Sequence, residues 1–160
     1  MTPLAWFLGL FLPACAASGA AGLSAPALMD MDHIVRPASP NTALAAPAGS
    51  QPAPDLVTPR FPLPAPRLYQ LLVAVAEEQP RTFLAAQYVG DLQAHFVARS
   101  AALNFPDLIT AQVAEAGPDA STLALYSRSL YGYSDFGVNR KRLSTWLAAI
   151  TSKINHSDER

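Results

Sequence analysis

The sequence of 160 residues contains a single cysteine, Cys15, and few charged side chains. One cysteine cannot close an internal disulfide, so no disulfide framework holds this chain together. Charged residues make up 14% of the chain, and eleven Lys and Arg against twelve Asp and Glu give a net charge of −1. A chain with this balance has no overall field that would draw it to nucleic acid or to an acidic membrane surface. We therefore expect no nucleic-acid partner, and any recognition of an anion must be local.

Motifs that carry catalytic chemistry are also missing. The sequence has no nucleophile elbow, no metal-ligand cluster of known spacing and no phosphate-binding loop. The stretch Met29-Asp30-Met31-Asp32-His33 places two carboxylates near an imidazole, but its spacing matches no metal motif, and we interpret it as a solvated acidic loop. The sequence thus predicts no catalytic residue, no metal site and no cofactor.

An apolar run at Leu4–Leu12 is too short to cross a bilayer, which takes about 20 residues. It has the length of the apolar region of a signal peptide, although no Lys or Arg precedes it. The sequence Leu12-Pro13-Ala14-Cys15 that follows resembles a bacterial lipobox, in which a small residue precedes the cysteine that is lipidated. We therefore predict that Cys15 is a lipidation site.

Three fates of the signal segment, residues 1–21, remain open. Lipidation of Cys15 would anchor the protein on the periplasmic side of a bacterial membrane. Cleavage at an Ala-x-Ala site between Ala14 and Ala21 would release a soluble periplasmic protein, and an uncleaved segment would itself be the anchor. In all three cases the protein is exported and the folded domain lies outside the cytosol.

Residues 22–59 are rich in Ala and Pro and show neither a helical nor a strand period. We interpret them as an extended linker or a strap over the domain, with turn chemistry at Arg36-Pro37-Ala38-Ser39-Pro40-Asn41. On this interpretation, deleting Ala43–Ala53 leaves the melting temperature nearly unchanged.

A single folded domain is predicted over residues 60–155, followed by a tail at 156–160. Pro64 and Pro66 suit the first turn of a helix, whose apolar period stops at Gln79-Pro80. Short turns then separate four runs of strand character, Thr82–Val89, Leu92–Phe105, Leu108–Glu115 and Ser121–Tyr131. A second helix runs from Ser134 or Asn139 to Ser152. The order α-β-β-β-β-α predicts a two-layer α+β fold, a four-stranded antiparallel sheet with two helices on one face.

Strand alternation predicts which side chains face the helices. Phe96, Ile109 and Leu123 lie on the apolar face. The opposite face carries His95, Arg99, Thr110, Gln112, Tyr126 and Arg128. This second face is either an ordinary solvated surface or a surface covered by a partner.

The stretch Ser127–Arg142 reads SRSLYGYSDFGVNRKR and is the most distinctive part of the sequence. It resembles the signature of the domain-of-unknown-function family fourteen ninety-nine, Arg-Ser-x-Ser-Arg-x-Gly-x-Ser-Asp-x-Gly-x-Asn-Arg-x-Arg. The similarity runs from Arg36 through Ala148, and Ser39-Pro40-Asn41 is similar to the family's Ser-Pro-Asn-Cys element. Thr42 replaces that cysteine, and Pro106-Asp107-Leu108 replaces a paired-Asp tract. The resemblance implies an exported or membrane-associated domain without an established activity.

This motif joins the last strand to the last helix, where Ser134 or Asp135 can cap the helix. Arg140, Lys141 and Arg142 oppose the helix dipole by about 0.3–1 kcal/mol each. An ion pair of Arg140 or Arg142 with Asp135 or Asp107 would offset this repulsion and is the arrangement we expect; a bound anion is the alternative. The candidate binding residues are Arg128, Tyr133, Ser134, Asp135, Asn139, Arg140 and Arg142.

Two classes of function remain open. The first is a non-enzymatic, lipid-tethered module of the cell envelope that binds an envelope protein partner or a small anionic group. The second is a hydrolase that uses Asp135 or Ser134 with His95 or an arginine. The opposite strand parity of His95 and the motif serines disfavours a Ser–His pair.

Overall fold

A computed structural model describes Cys15 and residues 17–158 of the chain. Its elements are β1 (Thr42–Ala46), β2 (Leu56–Val57), α1 (Ala65–Glu77), β3 (Thr82–Tyr88), a short 3-10 turn (Val89–Asp91), β4 (Gln93–Arg99), β5 (Pro106–Glu115), β6 (Ser121–Ser129) and α2 (Val138–Asp158). Most of the predicted signal segment lies outside the described residues. Within the described part, no helix is long and apolar enough to cross a membrane.

The described strands form one six-stranded sheet in the order β2-β1-β6-β5-β4-β3. All neighbours are antiparallel except β1 and β2, which run parallel. The predicted α+β class is confirmed, but the prediction of a four-stranded sheet is wrong. The four predicted strands correspond to β3–β6, and β1 and β2 extend the sheet beyond β6.

Strand β1 lies inside the Ala/Pro-rich stretch for which the composition predicted a linker or strap, and deletion of Ala43–Ala53 would remove most of this buried strand from the sheet. Its sequence, TALAA, does not alternate between polar and apolar residues because both of its faces are covered. Ala43 and Ala45 belong to the core under the helices, whereas Leu44 and Ala46 pack with Tyr126 on the opposite face. Alanine is also depleted in strands, so neither composition nor period indicated one here.

Both helices pack on the same face of the sheet, as predicted, and share one core with it. Pro64 precedes α1 and a proline occupies its first turn, where a missing N–H costs nothing. Phe96 of β4 meets Trp146 of α2 edge-to-face, with ring centroids 5.4 Å apart. Helix α2 extends to Asp158, beyond the predicted end at Ser152 and into the predicted tail.

The other face of the sheet is covered by the chain itself, through residues 17–41, which we call the strap. The guanidinium of Arg99 donates to the carbonyls of Gly19 (2.6 Å) and Ala21 (3.0 Å). The side chain of Gln93 exchanges two hydrogen bonds of 2.7 Å with the backbone of Met29. These bonds fix the strap across β4, so the mixed-polar face is not simply solvated.

Candidate functional site

Helix α2 begins at a cap formed by Asp135. One carboxylate oxygen accepts the N–H of Asn139 at 2.7 Å, and the other accepts the N–H of Gly137 at 3.0 Å. Gly137 and Phe136 have φ values of +79° and +52°, which lie outside the helical range, so the helix starts at Val138. The negative charge of this carboxylate also offsets the unfavourable interaction of the helix dipole with Arg140, Lys141 and Arg142.

Asn139 is fully buried and connects the last strand, the last helix and the residue before β1. Its amide nitrogen donates to the backbone carbonyl of Asn41 and to Ser129 Oγ, both at 3.0 Å. Its amide oxygen accepts from Ser127 Oγ and, at 2.6 Å, from Arg142 Nη1. Ser127 and Ser129, which share the strand parity of Leu123, therefore point toward the helices.

Arg142 forms the internal ion pair. Its Nη2 lies 2.6 Å from Asp107 Oδ2, and the two side chains are only 14% and 9% exposed. Of the pairs considered from sequence, Arg142–Asp107 is therefore the one observed, and Asp135 serves as a cap instead. The side chain of Arg140 is exposed and has no ion pair with a described residue.

The remaining predicted binding residues do not converge on one point. Tyr133 is 75% exposed, and Ser134 Oγ accepts the N–H of Phe136 at 3.2 Å. Arg128 lies on the opposite face of the sheet from the helices. The motif thus forms a structural network around Asn139, with Tyr133 and Arg140 projecting outward.

A cavity of about 620 Å³ lies between that opposite face and the strap. Its polar lining comes from β4–β6 and from the stretch before β1, and comprises Arg36, Ser39, Asn41, His95, Thr110, Tyr126, Arg128 and Ser129. Leu28, Met29, Val35 and Leu108 supply apolar walls. The volume and the mixture of apolar walls with a few polar groups are typical of small-molecule sites.

His95 lines this cavity and is 1% exposed. Its Nδ1 lies 3.0 Å from Thr110 Oγ1. Its ring meets the ring of Tyr88 edge-to-face, with centroids 5.8 Å apart. Nε2 is buried without a hydrogen-bond partner among the described residues. Burial lowers the pKa of His95, so the imidazole is held in its neutral form. A buried polar atom left unpaired is rare and marks a place where a ligand or water can bind.

Two guanidinium groups line the same cavity. The guanidinium of Arg36 forms an ion pair with Asp55, with 2.8 Å between Nη2 and Oδ2. It also donates hydrogen bonds to the hydroxyl and the backbone carbonyl of Thr42. The side chain of Arg128 is exposed and makes no hydrogen bond or ion pair with a residue in the described part. Burial raises the pKa of Tyr126 above its ordinary value, and the positive charges of Arg128 and Arg36 offset part of that rise. The cavity therefore combines positive potential with one neutral imidazole.

The residues of the hydrolase alternative are not linked in the described structure. His95 bonds to Thr110, both carboxylate oxygens of Asp135 accept backbone N–H groups, and Ser134 bonds within its own loop. Among the described residues, no group of three or more His, Cys, Asp and Glu side chains could hold a metal ion. The Asp30–His33 stretch forms an exposed pair, with 2.8 Å between Nδ1 and Oδ2.

Sequence reasoning placed four cavity residues on one face of the sheet, but did not select Arg36 or His95 for binding. The sequence predicts Arg36 as part of a turn, and its position at the start of the family resemblance is the one signal that points to it. Alternation places His95 on a face that is either solvated or covered, and the strap that buries it has no recognisable sequence pattern.

The comparisons with known proteins agree with the resemblance carried by the motif. A search of curated proteins found no match to the chain. A family model covers residues 34–150, which include the strand–loop–helix motif, every strand of the described part and the cavity residues Arg36, His95 and Arg128. The chain belongs to the family described as Protein of unknown function (DUF1499).

Proposed function

We propose that this chain is a non-enzymatic binding domain of the bacterial cell envelope, tethered through Cys15, whose cavity binds a small ligand with an anionic group and an apolar part. The observation that carries the proposal is the lining of the cavity. Arg36, Arg128 and His95 line one volume together with apolar walls, and the buried Nε2 of His95 has no hydrogen-bond partner among the described residues. Guanidinium groups bind carboxylates and phosphates with charge-assisted hydrogen bonds.

Arg128 is the group best suited to bind the anion. Arg36 already neutralises Asp55, whereas Arg128 has no partner in the described residues, so a ligand anion would be its counter-charge. His95 would bind a second polar atom of the ligand through Nε2. The Thr110 hydroxyl can accept from or donate to Nδ1, so Nε2 can act as acceptor or as donor according to the tautomer.

The strand–loop–helix motif supports this cavity rather than forming a second anion site. Asp135 already occupies the N–H groups of Gly137 and Asn139. Asn41, which lines the cavity, donates to the carbonyl of Gly132 at 2.7 Å and accepts from Asn139. The motif therefore fixes one wall of the proposed binding site.

Thermal unfolding of the full protein with hexanoate or inorganic phosphate tests the proposal. A ligand at 100 times its Kd stabilises the folded state by about 2.7 kcal/mol. We expect hexanoate to raise the Tm of the wild type and of Arg67→Gln, in which an exposed arginine of α1 is lost, but not that of Arg128→Gln.

Equal stabilisation of Arg128→Gln and wild type would contradict the proposed site. Stabilisation by phosphate alone would remove the apolar part of the ligand from the proposal. Covalent labelling of Ser134 by a fluorophosphonate probe would instead favour the hydrolase alternative.

A further inference from the structure

The loops that follow β4 and β6 lie at one end of the sheet, because Arg99 pairs with Pro106 and Asp107 pairs with Ser129. The rings of Phe105 and Tyr131 connect the two loops, with centroids 6.1 Å apart. We call residues 99–107 and 128–142 the loop end.

Large apolar side chains are exposed on this loop end. Leu103 is 62% exposed, Tyr133 75%, Phe136 94% and Val138 49%. Phe136 also has a left-handed backbone with φ of +52°, a conformation that bulky side chains disfavour. The Ser134 and Asp135 side chains hold the N–H groups of Phe136 and Gly137 in this turn. The fold thus presents a phenyl ring to solvent at a conformational cost, which points to a contact outside the chain.

Positively charged residues are also concentrated in the loop end. The loop end carries five Lys and Arg against two Asp, a net charge of +3, whereas the rest of the chain has six Lys and Arg against ten Asp and Glu. Both loop-end carboxylates are already engaged, Asp107 by Arg142 and Asp135 by backbone N–H groups. Arg140 and Lys141 are exposed beside Val138. Of the five cations, Arg99 is buried and Arg142 is paired with Asp107, so the positive charge exposed beside the apolar side chains comes from Arg140 and Lys141.

Cys15 is held at this end as well. The side-chain amide of Asn104 donates to the carbonyls of Cys15 (2.7 Å) and Ala17 (2.9 Å). The apolar run Leu4–Leu12 precedes Cys15 in the sequence. Acylation of Cys15 and retention of the apolar run would therefore both attach the protein to a membrane at the loop end.

We infer that the loop end is a membrane-docking surface: Leu103, Tyr133 and Phe136 enter the interfacial layer of an anionic bilayer, and Arg140 and Lys141 contact its headgroups. Aromatic side chains favour this layer, and basic residues next to them gain from anionic lipids. An anchor gives weak surface contacts a high effective concentration at the bilayer. A bilayer is favoured over a protein partner because the predicted attachment point lies at this end. The inference goes beyond the ligand cavity, although it shares with the proposed function the attachment at Cys15.

Sedimentation with lipid vesicles tests the surface, using full-length Cys15→Ser protein so that no acyl chain contributes and the apolar run Leu4–Leu12 is the same in every variant. We expect at least tenfold stronger binding to vesicles of phosphatidylglycerol and phosphatidylethanolamine than to phosphatidylcholine. Adding Phe136→Ser, Tyr133→Ser or the pair Arg140→Gln and Lys141→Gln should weaken binding at least fivefold. The matched control, Val89→Ser, changes a 63% exposed apolar residue at the opposite end of the sheet and should bind like the parent.

Binding to neither vesicle, equal binding to both, or an equal loss in the Val89→Ser control would overturn the inference. Cell fractionation of wild type and Cys15→Ser tests the anchor separately. If Cys15 is acylated, we expect wild type in the membrane fraction even at high salt and Cys15→Ser released by salt. If Cys15 is never acylated, the proposed function loses its lipid anchor. The vesicle experiment then still tests whether the loop end binds a bilayer.

Discussion

Arg142 and Asp107 form a nearly buried ion pair, and the exposed pair Lys153–Glu78 provides its natural comparison. The N···O distances are similar, 2.6 and 2.7 Å, but the side chains of the second pair are 42% and 58% exposed. Removing one partner of a buried pair leaves an uncompensated charge, whereas an exposed ion is compensated by water. Burial, rather than distance, therefore sets the contribution of each pair.

We expect Asp107→Ala to lower the free energy of unfolding by about 3 kcal/mol, because Arg142 would be left without its carboxylate. Asp135→Ala removes only a helix cap and should cost about 1 kcal/mol. Urea denaturation of both variants measures these values, with Glu78→Ala as a control that loses less than about 1 kcal/mol. A larger loss in Asp135→Ala than in Asp107→Ala would mean that the cap, not the ion pair, closes the motif.

His95 predicts a pH dependence of stability. Burial lowers its pKa in the folded state below the ordinary value of 6.5, so the unfolded chain takes up a proton first as the pH falls. The contribution of the neutral His95 to the free energy of unfolding is therefore fully present above about pH 6.5. It declines as the pH falls from there to the pKa that His95 has in the folded state. We expect the wild type, but not His95→Gln, to show this loss.

The measurement is the free energy of unfolding of both proteins between pH 7.5 and pH 5. Other titrating groups, including the exposed His33 with its raised pKa, are common to both proteins and cancel in the difference. Parallel curves for the two proteins would show that His95 titrates alike in the folded and unfolded states.

At the level of elements, the sequence was informative wherever a single segment carried its own pattern. The two helices and β3–β6 each combine a period with turn or proline boundaries, so local physics was sufficient to predict them. Strand β1 has no such pattern, because its five residues are mostly alanine and are buried from both sides. Its strand character comes from pairing with β6, which is a property of the tertiary fold.

A substitution at Ala45 tests whether β1 is part of the folded sheet. It is fully buried in β1, so Ala45→Asp would place a carboxylate in the core, and we expect a loss of at least about 3 kcal/mol or failure to fold. Ala48→Asp makes the same change in the exposed turn after β1 and should stay within about 0.5 kcal/mol of wild type. Thermal and urea unfolding compare the two. Equal stability would restore the view of this segment as a linker.

For the molecule as a whole, the cavity could be predicted only in part. Alternation placed His95, Thr110, Tyr126 and Arg128 on one face, because neighbouring strands share a common pleat. What closes that face is a strap of irregular sequence, and its position depends on bonds such as Arg99 to Gly19, 80 residues apart. Pairings of this range leave no local signature, so neither the enclosed volume nor the burial of His95 could be derived from the sequence.

The position of β1 also constrains the order in which the chain can fold. Asn41 bonds to Asn139, which follows it by 98 residues, and β1 pairs with β6, the last strand to be made. A chain that emerges N-terminus first, from a ribosome or a translocation pore, therefore cannot complete its sheet until β6 and the start of α2 have emerged. Non-local pairing of this kind is slow. During that delay, the weak strand propensity of TALAA is an advantage, since the waiting segment has little tendency to pair with the wrong strand or with another chain.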